Sequence, residues 1–502
     1  MRFPLGSRKA EAPLRYFLLA AVGAGLILRF VKLAGQSLWV DEIITLKNSH
    51  IGSGGVFSDF FSMLQGPLVA FLMHFWGALS NGDAFLRIPF AIAGAATIGV
   101  IYVLAKSLYD SWTALCTVFI AALSPILIWY SQEIRGYAFA VLFAVLMTYF
   151  FIQWLARPTT RNAFFYGLVM FAGLVSNLSV GFVAVAHFVY LIWTSSKRKL
   201  LGRWIVTVFA VLLVFSPWVR EVIVRIGSEH AVGPSGKPLI GGGGHSALAV
   251  PYSFFTYSVG YTFGPSAREL QTDRAQALAQ NIAWIGLVAV TFGVPLVVGI
   301  LRLARTNSNS LVLLLAWLLV PVIAVWMLAA SEIKAFSARY ALVSVPAYAM
   351  LLGQGLAAIL KSRFWPYLGL VTAVMGLAIY NYFAVPAYGK EDMRSAAQVI
   401  EADFREGDVV VAVYTGEALE HYLKGIAIVS FFEAGDLASE EAITARCRVL
   451  AGVGDRVWLV LCREWMVDPG GVIKAWFDRN LENAGSEAVP GVRLYLYQKR
   501  SR

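Results

Sequence analysis

Charge is sparse in this chain. Of its 502 residues only 14% are Asp, Glu, Lys or Arg, whereas 58% are hydrophobic. A soluble surface calls for about a quarter charged residues, so the composition excludes a soluble globular protein. Cysteine is scarcer still. The three present, Cys116, Cys447 and Cys462, exclude a disulfide-stapled scaffold and show no metal-ligand spacing. Cys116 lies in an apolar run and reads as packing, while Cys447 and Cys462 could pair only if the fold brings them together. The histidines (His50, His74, His187, His230, His245 and His421) are scattered without paired ligand spacing, so the residues themselves give a divalent metal no support. Tandem repeats and a glycine-rich phosphate fingerprint are missing as well.

The net charge of +11 would suit nucleic acid. Its lysines and arginines, however, sit in short clusters between apolar runs, and no basic, aromatic-interleaved domain accompanies them, so nucleic acid is not expected as a partner. Long apolar runs are what the chain has in place of charge. A helix needs about 20 such residues to cross the hydrocarbon core. Runs of that kind fall at 14–34, 84–105, 112–130, 136–156, 163–178, 179–194, 204–220, 280–301, 311–330, 339–359 and 365–384, two of them short. The run at 67–80 is too short to span and reads as an interfacial helix. Arg2, Arg8, Lys9 and Arg15 precede the first run as in a signal peptide. No small-residue cleavage site follows, so that run reads as an uncleaved first transmembrane helix.

Loop charge sets the expected orientation. With the N-terminus cytoplasmic, alternate short loops hold Lys106, then Arg157 and Arg161, then Lys197–Lys199 and Arg203, then Arg302 and Arg305, then Lys361 and Arg363. All fall on one side, as the positive-inside rule requires. The Asp41-Glu42 pair, the Tyr130–Tyr137 turn, the 221–279 loop with its Gly241–Gly244 run, and the 331–340 turn then share the outer face. After 385 the character changes. Asp408–Val413, Val457–Leu461 and 492–498 read as strands, and 391–405, 416–424 and 438–452 read as amphipathic helices, the alternation of a small α/β domain.

The expected fold is therefore mainly α: a polytopic membrane protein of about 11 transmembrane helices plus interfacial helices, with a small C-terminal α/β domain on the outer face. The expected domains are 1–385, embedded, and 386–502, extracytoplasmic.

Three groups of residues carry the chemistry. Gln36–Thr45 places adjacent carboxylates, Asp41 and Glu42, beside Trp39 at an apparent membrane boundary. Neighbours on a helix point about 100° apart, so one acid can act on substrate while the other caps a helix. A solvated pair opening a surface helix fits equally well. Trp129–Tyr137 holds Tyr130, Glu133, Arg135 and Tyr137 at headgroup depth, where an internal ion pair or a snorkelling arginine is the plainer reading. In the third group Lys334, Arg339 and Tyr340 open a late apolar run on the side where positive charge is disfavoured. An anionic headgroup or phosphate explains Arg339; so does anchoring to ordinary lipid. Arg268 adds another cation in the long outer loop. Acids and arginines on one face suit a substrate with a lipid tail, a phosphate and a polar head. Sugar transfer from such a phosphate needs a base for the acceptor hydroxyl and cations for the departing phosphate.

The order Ser37-Leu38-Trp39-Val40-Asp41-Glu42, Pro67-Leu68 with His74-Phe75-Trp76, Leu86-Arg87-Ile88-Pro89 and Tyr130-Ser131-Gln132-Glu133-Ile134-Arg135-Gly136-Tyr137 resembles the GT-C glycosyltransferases. The branch it is most similar to holds the protein O-mannosyltransferases and aminoarabinose-transferase-like enzymes. The resemblance is specific over about 15–195 and topological over 200–385. It implies an inverting transferase that takes a sugar from a polyprenyl-phosphate donor to a lipid, polysaccharide or protein acceptor on the outer face of a bacterial inner membrane. Asp41 matches the family's catalytic carboxylate and Glu133 the supporting acid, which makes these two the catalytic candidates. Arg339 and Tyr340 resemble the lipid-phosphate site, with Arg135, Arg268 and Lys334 as further phosphate candidates. Glu42, Gln65, Arg87, Tyr130 and Tyr137 are supporting candidates. Leu64-Gln65-Gly66-Pro67-Leu68 departs from the branch's His-Pro-Pro-Leu, or acid and base before Pro-Pro. That loss argues against an aminoarabinose transferase and against that branch's metal site. The rival classes are a flippase of lipid-linked sugars, which would call for broken helices and charge near the midplane, and a non-catalytic scaffold for envelope polysaccharide.

Overall fold

The computed structural model describes residues 8–49, 66–228, 246–331, 333, 335–362, 364–431, 439–464, 468 and 470–500. These fall into two compact units. The first takes the described residues within Met1–Leu33, Ile51–Glu221 and His245–Ala384; the second takes those within Ala34–His50, Val222–Gly244 and Val385–Arg502.

In the first unit each expected apolar run forms a helix. They are Arg8–Leu28, Asp83–Leu108, Ser111–Ala122 with Pro125–Ser131, Tyr137–Ala156, Thr160–Ser176, Val180–Trp193, Leu201–Ser228 (as far as Glu221 in this unit), Ile282–Thr306, Ser308–Ala330, Ala338–Ser344 leading into Val345–Lys361, and Pro366–Ala384. Among the described residues seven helices are long and apolar enough to cross a membrane, and the pair broken at Pro125, bent by 59°, makes an eighth. Pro125 causes the break, since it has no N–H to continue the preceding ladder. The first helix keeps only Ala12–Leu28 as its apolar part, and Val180–Trp193 is also shorter than a full span. Thr160–Ser176, at 17 residues, reaches about 25 Å at 1.5 Å per residue. Pro67–Gly77 is a helix of 11 residues, as its short apolar run implied.

Lipid offers no hydrophobic drive between helices, so close backbone approach has to hold them. Gly299 and Gly355 supply it between Ile282–Thr306 and Val345–Lys361. A Cβ on Gly355 would stand 1.7 Å from the Pro295 carbonyl oxygen, and one on Gly299 2.1 Å from that of Leu351. At one end of this unit Asp110 caps Ser111–Ala122 through the Thr113 amide and pairs with Lys361 at 3.4 Å and Arg302 at 3.9 Å. Those two cations belong to loops that the charge pattern put on one side. The Trp129, Tyr261 and Tyr382 rings gather at the turn that follows Pro125–Ser131.

The second unit is an α/β domain with β1 (Val409–Val413), β2 (Ile428–Ser430), β3 (Arg456–Cys462), β4 (Glu482–Val489) and β5 (Val492–Gln498), in the order β2-β1-β3-β5-β4. β1 runs parallel to β2 and β3, and β5 pairs antiparallel with β3 and β4. The apolar runs of β1 and β3 are buried because helices cover them: Met393–Asp403, Gly416–Tyr422, Glu440–Val453 and Val472–Asn480. Neither β2, of three residues, nor β4 is among the expected strands. The first seven residues of β4 are exposed, so it has no alternation to detect. Cys447 and Cys462 are both buried and both free thiols. The helix Val40–Lys47, which carries the acid pair, belongs to this unit.

Candidate active site

In the first unit the Pro125 break lets the last helical turn end at Ser131 and turn through 132–136 into Tyr137–Ala156. Gln132 fixes that turn. Its amide nitrogen donates to the carbonyls of Leu28 and Val31, each at 2.9 Å, and its oxygen accepts from Tyr382 at 3.0 Å. Glu133 is thereby held inside the protein, and its Oε2 accepts the Trp129 indole N–H at 3.0 Å. The Arg135 amide donates to the Glu133 carbonyl at 2.8 Å. The Tyr130 and Tyr261 hydroxyls lie 3.2 Å apart, and the Tyr137 ring meets Tyr130 edge-on at 4.9 Å. Arg339 stands in the 3-10 turn Ala338–Ser344, half-buried, its guanidinium 5.3 Å from the Tyr340 ring centroid. A small cavity lined by Tyr130, Ser131, Ala138 and Leu342 joins this 3-10 turn to the one after Pro125–Ser131. Six of the expected residues, Tyr130, Glu133, Arg135, Tyr137, Arg339 and Tyr340, thus gather around one turn.

Others go elsewhere. Arg87 is buried in Asp83–Leu108 and donates to the Leu33 carbonyl at 2.6 Å, a contact that ties backbone together. Arg268 lies exposed in the short helix Ala267–Thr272. Gln65, Lys334 and the Gly241–Gly244 run lie outside the described residues.

In the second unit the geometry separates the adjacent acids. Glu42 is fully buried. Its Oε2 accepts the Trp39 amide N–H at 3.4 Å and the Lys390 ammonium at 3.1 Å. Asp41 keeps partial access to solvent in the first turn of the same helix, and its carbonyl accepts the Thr45 hydroxyl at 2.9 Å. One acid is taken up as a cap and ion-pair partner, and the other points elsewhere, as the 100° step requires. Lys390 was not legible. It stands in a charged run after the last apolar segment, 348 residues from Glu42. Tyr261 and Arg463 were missed for the same reason, and Gln132 was read only as part of its motif: partners this far apart in sequence leave no local pattern. Among the described residues no group of three or more His, Cys, Asp or Glu side chains is placed to hold a metal.

Residues 65–220 match the family model described as dolichyl-phosphate-mannose-protein mannosyltransferase. No curated protein matches the chain. Among solved structures the chain is similar to the archaeal oligosaccharyltransferase AglB from Archaeoglobus fulgidus, in complex with an inhibitory peptide and a dolichol-phosphate. The TM-score is 0.55 at 13% identity, over 96% of this chain and 74% of that one. It is also similar to ArnT from Cupriavidus metallidurans. In the apo state the TM-score is 0.54 at 13% identity, over 96% of this chain and 97% of that one. Bound to undecaprenyl phosphate it is 0.52 at 13%, over 96% and 97%. In the sequence of that stretch and in its fold, the chain resembles the GT-C superfamily of glycosyltransferases. With seven or more apolar spans it is a polytopic membrane protein of that fold.

Proposed function

We propose that this protein is an inverting glycosyltransferase that moves a sugar from a polyprenyl-phosphate donor to a lipid, polysaccharide or protein acceptor on the outer face of the bacterial inner membrane. The observation that carries the reading is the family match over 65–220, a stretch that contains Tyr130, Glu133, Arg135 and Tyr137. The dolichol-phosphate of AglB and the undecaprenyl phosphate of ArnT support the donor class. In this reading Asp41 takes the proton of the acceptor hydroxyl, and that oxygen attacks the anomeric carbon as the bond to phosphate oxygen breaks. The electron pair leaves on the phosphate. Phosphate is a good leaving group without protonation, so one carboxylate base suffices, and in-line attack inverts the centre. Arg339 and Tyr340, with Arg135, Arg268 and Lys334, are the proposed donor-phosphate groups. Glu133 supports binding of donor or acceptor, with Glu42, Gln65, Arg87, Tyr130 and Tyr137 as supporting residues. The domain assignment, 1–385 embedded and catalytic and 386–502 extracytoplasmic, belongs to the same proposal.

Incubating the protein with radiolabelled polyprenyl-phosphate sugars and membrane extract tests it. Label is expected to appear on a membrane acceptor with the parent chain, and Asp41→Asn is expected to lower transfer by about 10³-fold or more while the protein stays folded. Movement of intact donor across vesicles without cleavage would point to a flippase instead.

A further inference from the structure

The carboxyl ends of β1 and β3 are where the connections of the small sheet part. The chain leaving β1 passes through Gly416–Tyr422 to β2 on one side, and the chain leaving β3 goes the other way, towards β5 and β4. Open α/β sheets carry their ligand crevice at such a point. The first residues beyond the two strands, Tyr414 and Arg463, have φ of 75° and 50°. Non-glycine residues keep that backbone state only where their surroundings fix it.

Against this edge lies the protein's own Ser37–Glu42 stretch. The Arg463 guanidinium is 5.3 Å from the Trp39 ring centroid and the Lys390 ammonium 5.7 Å. Lys390 also pairs with Glu42 at 3.1 Å, with side chains only 4% and 0% exposed. Glu391 holds Arg463 at 2.5 Å, and the Ser37 hydroxyl donates to the Glu391 carbonyl at 2.7 Å. The Leu38 amide donates to the Tyr422 hydroxyl at 2.6 Å. A buried ion pair adds little net stability but is costly to break from one side, which suits it to fixing a register.

Resting on the assignment of Asp41 as the base, we infer that Lys390 and Arg463 are positioning residues. By gripping Trp39 and Glu42 they fix the turn that carries Asp41 between them. The α/β domain then serves as the clamp of the catalytic segment, a role separate from choosing an acceptor. Where a base must sit within hydrogen-bond reach of its proton, a misplacement of about 1 Å costs roughly a hundredfold in rate.

The test uses the full chain in detergent and the donor sugar that the parent transfers in the radiolabel assay. It measures kcat and donor KM per folded molecule, with thermal melting supplying the folded fraction. Lys390→Met is expected to lower kcat about 30- to 100-fold with donor KM within about twofold, and Lys390→Arg to return kcat to within about threefold of the parent. Arg463→Lys keeps the charge but loses the planar fork over Trp39, and should lower kcat about tenfold. A folded Lys390→Met with parental kcat overturns the inference, as does a loss explained by donor KM or by folded fraction, or a Lys390→Arg no better than Met. If Lys390→Met does not fold, Arg463→Lys decides by the same measures. Asp41→Asn is run beside them. An active Asp41→Asn withdraws the base assignment and the inference together, whereas an inactive one beside a normal Lys390→Met removes the positioning role alone.

Discussion

Positions 41 and 42 have the same charge and opposite environments. Glu42 has given up solvent for the Lys390 ammonium and a backbone amide. Removing one member of a buried pair leaves the other uncompensated, which costs about 3–5 kcal/mol. Glu42→Ala is therefore expected to lower the melting temperature clearly. Glu42→Gln, whose amide oxygen can still accept from Lys390, should lower it less. Equal melting curves for parent and Glu42→Ala would contradict the ion-pair account. The three thiols allow a second check. Burial, reinforced by the Asp468 carboxylate, pushes the Cys447 thiol up to about 12, so at pH 8 it is almost wholly protonated in the folded domain. Iodoacetamide should label it slowly in the native protein. After unfolding without reductant all three cysteines should be alkylated, and mass spectrometry that found Cys447 and Cys462 joined would contradict the free-thiol assignment.

At the scale of elements, close helix contact carries the prediction. A Cβ on Gly355 would collide with the Pro295 carbonyl, whereas one on Gly369 would meet nothing within 4 Å. Backbone cannot step aside as a flexible side chain can. Gly355→Ala should therefore reduce the yield of folded protein and its melting temperature, while Gly369→Ala should match the parent. Size-exclusion yield and thermal melting read both. The sequence shows the apolar runs because lipid demands them of every span, but the run at 112–130 reads as one span and the break at Pro125 appears only in the fold. The sequence shows the order of β1 and β3 through their apolar runs. It does not show β4, whose exposed edge needs no pattern, or the pairing of Glu42 with Lys390. Apolar burial repeats locally and can be read from a window, whereas a charge pair between residues 348 apart is written only in the fold. The acid pair was legible as unusual, and the 100° step with the resemblance already set Asp41 as base candidate and Glu42 as support; the burial of Glu42 against Lys390 was not legible.

For the whole molecule, the division of the chain assigns Ala34–His50 to the same compact unit as Val385–Arg502, although all of the long spans lie between them in sequence. The segment that bears Asp41 therefore relies on partners that come after the spans. Lys390, Tyr422 and Arg463 all come after the final apolar helix, Pro366–Ala384. A chain ended at Ala384 keeps, among the described residues, every helix able to cross a membrane but loses the groups that hold Ser37–Glu42. It is expected to insert and survive carbonate extraction like the full chain, while transfer from radiolabelled polyprenyl-phosphate sugar falls below about 1% of the parent value, the size of a lost positioning effect. Loss of transfer with the spectrum of labelled acceptors shifted in partial truncations would point to acceptor choice as the domain's task. Loss without such a shift fits a clamp. Retained transfer by the chain ended at Ala384 would mean that Ser37–Glu42 finds its working geometry without the α/β domain, and the clamp would have to be given up.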